Sequence, residues 1–146
     1  ESKLEIRGML RELTEIESIG DSCYNLARTI NRKRSGGNDF TEKQYEHIHQ
    51  MMQLTNDALA HMIAVVEDDH HVVDVNKSFN IENEINNYRA QLKNQNVVDV
   101  NNKEYDYQMG VHYMDIIGEC EKLGDYVVNV VEARTNVKEK KTGDNR

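Results

Sequence analysis

The chain has 146 residues, of which 30% are charged and 38% hydrophobic, and its net charge is −8. That length suits a single domain with a real core, no apolar run approaches the roughly 20 residues that cross a bilayer, and no signal-peptide pattern is present. The acidic balance argues against nucleic acid as a partner, because phosphate backbones attract Lys and Arg, and the only basic cluster, Arg32-Lys33-Arg34, reads as a charged helix end.

There is no proline, which permits long helices. Ile6, Met9, Leu10, Leu13, Ile16, Cys23, Ala27 and Ile30 follow a helical period and predict a first helix over 3–34. The sequence enters this period almost at once from Glu1, which suggests a piece of a longer chain, with nothing against a membrane segment upstream. "SGGND" interrupts the period. "FTEKQY" restarts it: Thr41 can cap, Gln44 can close a capping box, and Phe40 and Tyr45 can form a hydrophobic staple. The second helix is expected over 41–69, with Ile48, Met51, Met52, Leu59, Met62, Val65 and Val66 inward.

"DDHHVVDVN" is the next break, weak enough to let helices two and three form one kinked helix. A stripe of Phe79, Ile85, Tyr88 and Leu92 predicts a third helix over 74–95. "VVDVN" occurs at 72–76 and again at 97–101, each time ahead of a helical stripe. Both copies read as helix starts capped by Asn76 and Asn101, rather than as paired strands. The fourth helix is expected over 102–137, with Met114, Ile117, Val128 and Val131 inward. Residues 1–137 then form the domain, and 138–146 read as a disordered tail. Short connections favour an all-α, antiparallel up-down bundle of four helices.

"ESIGDSCYNL" at 17–26 and "EKLGDYVVNV" at 121–130 place Glu, Gly, Asp and Asn at the same relative positions. Each copy lies near the middle of its helix, and the first and last helices of an up-down bundle are antiparallel neighbours. Glu17, Asp21, Glu121 and Asp125 are therefore expected to converge, with Gly20 and Gly124 allowing close backbone approach. Four carboxylates at one buried spot need protonation, arginine partners or a cation. Neither motif supplies an arginine at the right turn, and an all-carboxylate set with Asn25 and Asn129 nearby suits a hard divalent cation or iron.

Other ligand patterns are weaker. Glu46 with His49 and Glu67 with His70 both give Glu-x-x-His, but they lie on one helix about 30 Å apart and cannot share a site. His47, His61, His71 and His112 read as surface residues, and Cys23 and Cys120 as small buried ones. No nucleophile elbow, phosphate loop or Ser-His-Asp arrangement is visible, so no catalysis is expected. Tyr24, Tyr126 and the Met-rich second helix offer apolar surface for a homodimer or a docking partner.

"CEKLGDYVVNVVEA" (120–133) resembles the helix signature of PhoU-like proteins, which reads Glu-Arg-Ile-Gly-Asp-His-Ala-x-Asn-Ile-Ala-Glu. "IESIGDSCYNLA" (16–27) is a second copy, and "IENEINNYRAQL" (81–92) is similar to the family's middle Glu-x-x-x-Asp segment. The arginine of the signature is Ser18 or Lys122 here, its His is Ser22 or Tyr126, and Glu82 is followed by Asn86 where Asp is typical. The resemblance implies a helical bundle that binds metal through Glu17, Asp21, Glu121 and Asp125. It is closest to the cytoplasmic C-terminal domain of sodium-dependent phosphate cotransporters. The implied role is regulation of phosphate transport from the cytoplasmic face of the membrane, with the transmembrane transporter portion of the same chain as partner. A free-standing regulator of phosphate signalling and a purely structural interaction domain are the alternatives.

Overall fold

A computed structural model describes residues 2–35, 39–70 and 72–143, with side chains to residue 33 in the first segment and to residue 135 in the last. It holds four helices and, among the described residues, no strand: α1 (Lys3–Ser35), α2 (Glu42–Glu67), α3 (Asn76–Asn101) and α4 (Tyr107–Gly143). The all-α antiparallel architecture is the expected one. Gly36, Gly37 and Asn38 of the first interruption, His71, and residues 144–146 lie outside the described residues.

Local chemistry sets most helix limits. The capping box at α2 forms in full: the Gln44 amide donates to Thr41 Oγ1 at 3.1 Å and the Thr41 amide to Gln44 Oε1 at 2.9 Å. The staple also forms, with the Phe40 and Tyr45 ring centroids 5.6 Å apart. After α2, the Asp68 carboxylate accepts the His70 and Val73 amides, which keeps α2 and α3 separate. Asn76 does not cap α3; it is the first helical residue, and the Asp74 side chain accepts its amide at 3.0 Å.

The second "VVDVN" is not a helix start either. It is the last turn of α3, which runs six residues past its expected end at 95. Val97 and Val98 face solvent there, so their β-branching costs little packing. The chain then turns through Lys103 at φ 59°, and Asp106, not Asn101, caps α4 by accepting the Met109 amide at 2.8 Å. α4 continues through Gly143, beyond its expected end at 137.

Among the described residues α2, α3 and α4 pack on one another, whereas α1 packs on α4 alone. α4 is therefore the axis of the core and buries Tyr113, Ile116, Ile117, Cys120, Leu123 and Val127 almost completely. α2 contributes Ile48, Met51, Ala58, Met62 and Val65, and α3 contributes Ile81, Ile85 and Leu92. The spacing of these residues is the helical period read from the sequence.

Four expectations about side chains need correction. The apolar stripe of α1 faces out: Ile6, Met9, Leu10, Leu13 and Ile16 are between 44% and 60% exposed. The face of α1 that meets α4 is mixed: Ile19 and Leu26 are buried on it, and α4 presents Glu119, Asn129, Glu132 and Arg134 beside them. His61 is buried, with Nδ1 2.6 Å from Ser78 Oγ, a bond that removes its need for water. Met52 of the α2 stripe, expected inward, is 36% exposed, whereas Met51 and Met62 are buried. Cys23 is exposed while Cys120 is buried, as its helix faces require.

Burial pushes the Cys120 thiol up to about 11, so it holds almost no thiolate at neutral pH. Treatment of the native chain with iodoacetamide should modify Cys23 quickly and leave Cys120 intact. Mass spectrometry showing both modified at equal rates would contradict this packing.

Candidate functional site

The outer edge of the α3–α4 contact carries most of the acidic motif. α3 runs antiparallel to α4, which sets Glu82 opposite Asp125 and Arg89 opposite Glu121. Helical spacing places Glu121 and Asp125 one turn apart on the same face of α4. The Glu82 carboxyl stands within hydrogen-bonding reach of Asp125, and it is held above the usual carboxylate range by burial first, then by Asp125, Glu132 and Glu121. This is a site with an excess of negative charge.

Arg89 partly offsets that charge. Its Nε lies 3.3 Å from Glu121 Oε2, but the N–H does not point along that line and makes no hydrogen bond. The contact is a Coulombic pairing of two partly exposed groups, worth at most about 1 kcal/mol. The arginine that neither motif helix supplies thus arrives from a third helix, a contribution that spacing within α1 and α4 does not show.

Gly124 opens this part of the structure. A Cβ there would meet Ile85 Cδ1 at 3.2 Å, so the glycine lets α3 lie close to α4 beside the acids. Gly20 has no such neighbour: a Cβ would meet nothing within 4 Å. The close approach expected of both glycines holds for Gly124 alone, and its partner is α3 rather than α1.

The four carboxylates expected at one spot are not brought together. α1 meets α4 through Glu12 with Arg134 at 2.9 Å, Glu15 with the Asn129 amide at 3.2 Å, and the Ser22 hydroxyl, which donates to Glu119 at 2.7 Å. These residues share one side of α1. At 3.6 residues per turn, Glu17 and Asp21 fall on the opposite side, where both are exposed. Glu121 and Asp125 lie toward α3. Among the described residues no group of three or more His, Cys, Asp or Glu stands close enough to hold a metal ion. What the site offers a cation is the Glu82–Asp125 pair, with Glu121 one turn away behind Arg89.

A second, smaller feature is a cleft of about 270 Å³ between the start of α2 and the end of α3, lined by Lys43, His47, Asp99, Glu104 and Tyr105 among others. It sets Lys43 against the two carboxylates Asp99 and Glu104, and His47 shares a 3.0 Å hydrogen bond with the buried Tyr113 hydroxyl. Burial and, next, Lys43 hold the His47 imidazole below its ordinary range, favouring the neutral ring in the fold. Its contribution to stability is therefore present above the ordinary imidazole range and is lost as pH falls through the depressed folded value. Thermal melts from pH 7.5 down to 5 should lose stability over that window in the wild type and less so in His47→Gln. Parallel profiles for the two chains would contradict it.

A model of the PhoU domain matches residues 48–133, more than half of the chain, from the first turns of α2 to the last described turn of α4's core. No curated protein and no solved structure gives a match.

Proposed function

Because this chain belongs to the PhoU family, we propose that it is a regulatory domain of phosphate homeostasis that acts on a sodium-dependent phosphate transporter from the cytoplasmic face of the membrane. The observation that carries this reading is where the match falls. It covers the three helices that bury the core together with the "EKLGD" segment of α4, whose two acids meet α3. No helix among the described residues is long and apolar enough to cross a membrane, so the transport step itself is assigned to a membrane-spanning partner, either part of the same polypeptide or a separate protein.

The acidic site suits a hard cation in its donor chemistry. Glu82 and Asp125 are two carboxylates held close at a partly buried spot, with Glu121 nearby, and such a set favours an oxygen-seeking divalent ion or iron. Glu82 and Asp125 would hold it, and the ion would supply positive charge to an otherwise acidic surface. Glu17 and Asp21 belong to a separate outward face of α1.

The test is phosphate uptake in cells that carry the protein with its transporter. Replacing the chain by a Glu82→Gln, Asp125→Asn variant should change uptake at high external phosphate while the level of transporter protein stays constant. Unchanged uptake with both the double variant and a full deletion of the domain would remove the regulatory reading. Unchanged uptake with the double variant alone would remove only the role of the acids.

A further inference from the structure

The exposed stripe of α1 has a period of its own. Ile6, Met9, Leu13 and Ile16 start a seven-residue repeat that the small residues Gly20, Cys23 and Ala27 continue. A strict seven-residue apolar repeat is the pattern of a helix that pairs with another helix in a left-handed coil. α4 does not use this stripe: it takes the far side of α1, with Glu12, Glu15, Ile19, Ser22 and Leu26. The stripe is contiguous from Leu4 to Ile16, and its large side chains stay about half exposed. They present roughly 500 Å² of apolar surface, at the upper end for a single chain.

We infer that this stripe is a self-association face, on which α1 of one copy pairs with α1 of a second copy in antiparallel orientation, with the two-fold axis at the level of position 11 between Met9 and Leu13. Three observations point to a second copy. Two such faces together bury about 1,000 Å², which reaches the size of a specific interface. An antiparallel register that sets Ile6 against Ile16 of the second copy and Met9 against Leu13 matches the four large apolar residues of the repeat. It is also self-complementary, as a two-fold interface must be.

The third observation is charge. That same register brings Lys3 and Arg7 of one copy beside Glu17 and Asp21 of the other, twice over by symmetry. All four side chains are exposed, and none has an ion-pair partner among the described residues. The motif acids of α1, which point away from α4, thereby gain a basic partner.

The experiment is sedimentation equilibrium of the purified chain over a range of concentrations, with circular dichroism as the check on folding. The wild type should show a concentration-dependent dimer. Leu13→Glu, at an exposed position and so without cost to the core, should weaken it on the order of a hundredfold. Lys3→Glu with Arg7→Glu, and separately Glu17→Lys with Asp21→Lys, should each raise the dissociation constant on the order of tenfold or more. An equimolar mixture of these two charge variants should form a heterodimer, because each then meets its opposite sign at both ends. A wild type that stays monomeric at all concentrations overturns the inference. So does a dimer that survives Leu13→Glu, or charge variants that fail to pair on mixing. A monomer that binds lipid vesicles through α1 overturns it in favour of a membrane surface.

Discussion

Ile85→Ala should lower the stability of the domain by about 3–4 kcal/mol, with a fall in melting temperature of about 10 °C. Ile85 is fully buried in α3 and packs across onto α4. Truncation removes its transfer free energy and leaves a cavity that close-packed neighbours fill only in part. The glycine opposite makes the prediction sharper. Gly124→Ala brings about 1 kcal/mol of helix propensity, but its new Cβ sits 3.2 Å from Ile85 Cδ1, and crowding cancels that gain. In an Ile85→Val background the offending methyl is gone. Gly124→Ala should then stabilise by up to about 1 kcal/mol, a coupling that a double-mutant cycle from denaturant titration reads directly. Additive effects of the two changes would mean that α3 and α4 do not approach at this point.

The helices were legible because their signals are local. The capping box at Thr41 and Gln44 needs only four consecutive residues, and it forms as written. The stripes of α2 and α4 needed only a period. The end of α3 was not legible, because "VVDVN" is chemically the same at 72–76 and at 97–101. What separates the two copies is their neighbours: Asp68 captures the backbone before the first, while the second extends an existing helix whose outer face tolerates valine.

The site was legible in part for the same reason. The matched Glu-Gly-Asp spacing points to Glu121, Gly124 and Asp125, which lie along the α3–α4 contact. The error lay in which helix they meet. A sequence period gives the faces of α1 but not which face is spent on α4, and the more apolar face seemed the natural choice. The side with Ile19 and Leu26 packs on α4 instead, and Arg134, Asn129 and Glu119 pair with the polar residues beside them. Arg89 was invisible because its partner is 32 positions away on a different helix.

Addition of a divalent cation should raise the melting temperature of the chain, and the gain should depend on Glu82, Glu121 and Asp125 but not on Glu17 and Asp21. A ligand that binds the folded state alone stabilises it by about 2.7 kcal/mol at a hundredfold excess over its dissociation constant, or roughly 8 °C for a domain of this size. The acids on α4 and α3 stand together at a partly buried spot, where burial first and then Asp125 hold the Glu82 carboxyl above its usual range. Glu82→Gln or Asp125→Asn should therefore leave the metal-free chain as stable as the wild type or more so, because a like-charge contact disappears. Both variants should lose the metal-dependent gain. Glu17→Gln with Asp21→Asn should keep it, since these residues lie on the far side of α1. Differential scanning fluorimetry with manganese, magnesium, zinc, iron and chelator separates the outcomes. A gain that Glu17→Gln with Asp21→Asn abolishes would place the cation on α1. A wild-type melting temperature indifferent to all of these additions would leave the α3–α4 acids as a hydrated charged edge with no metal role.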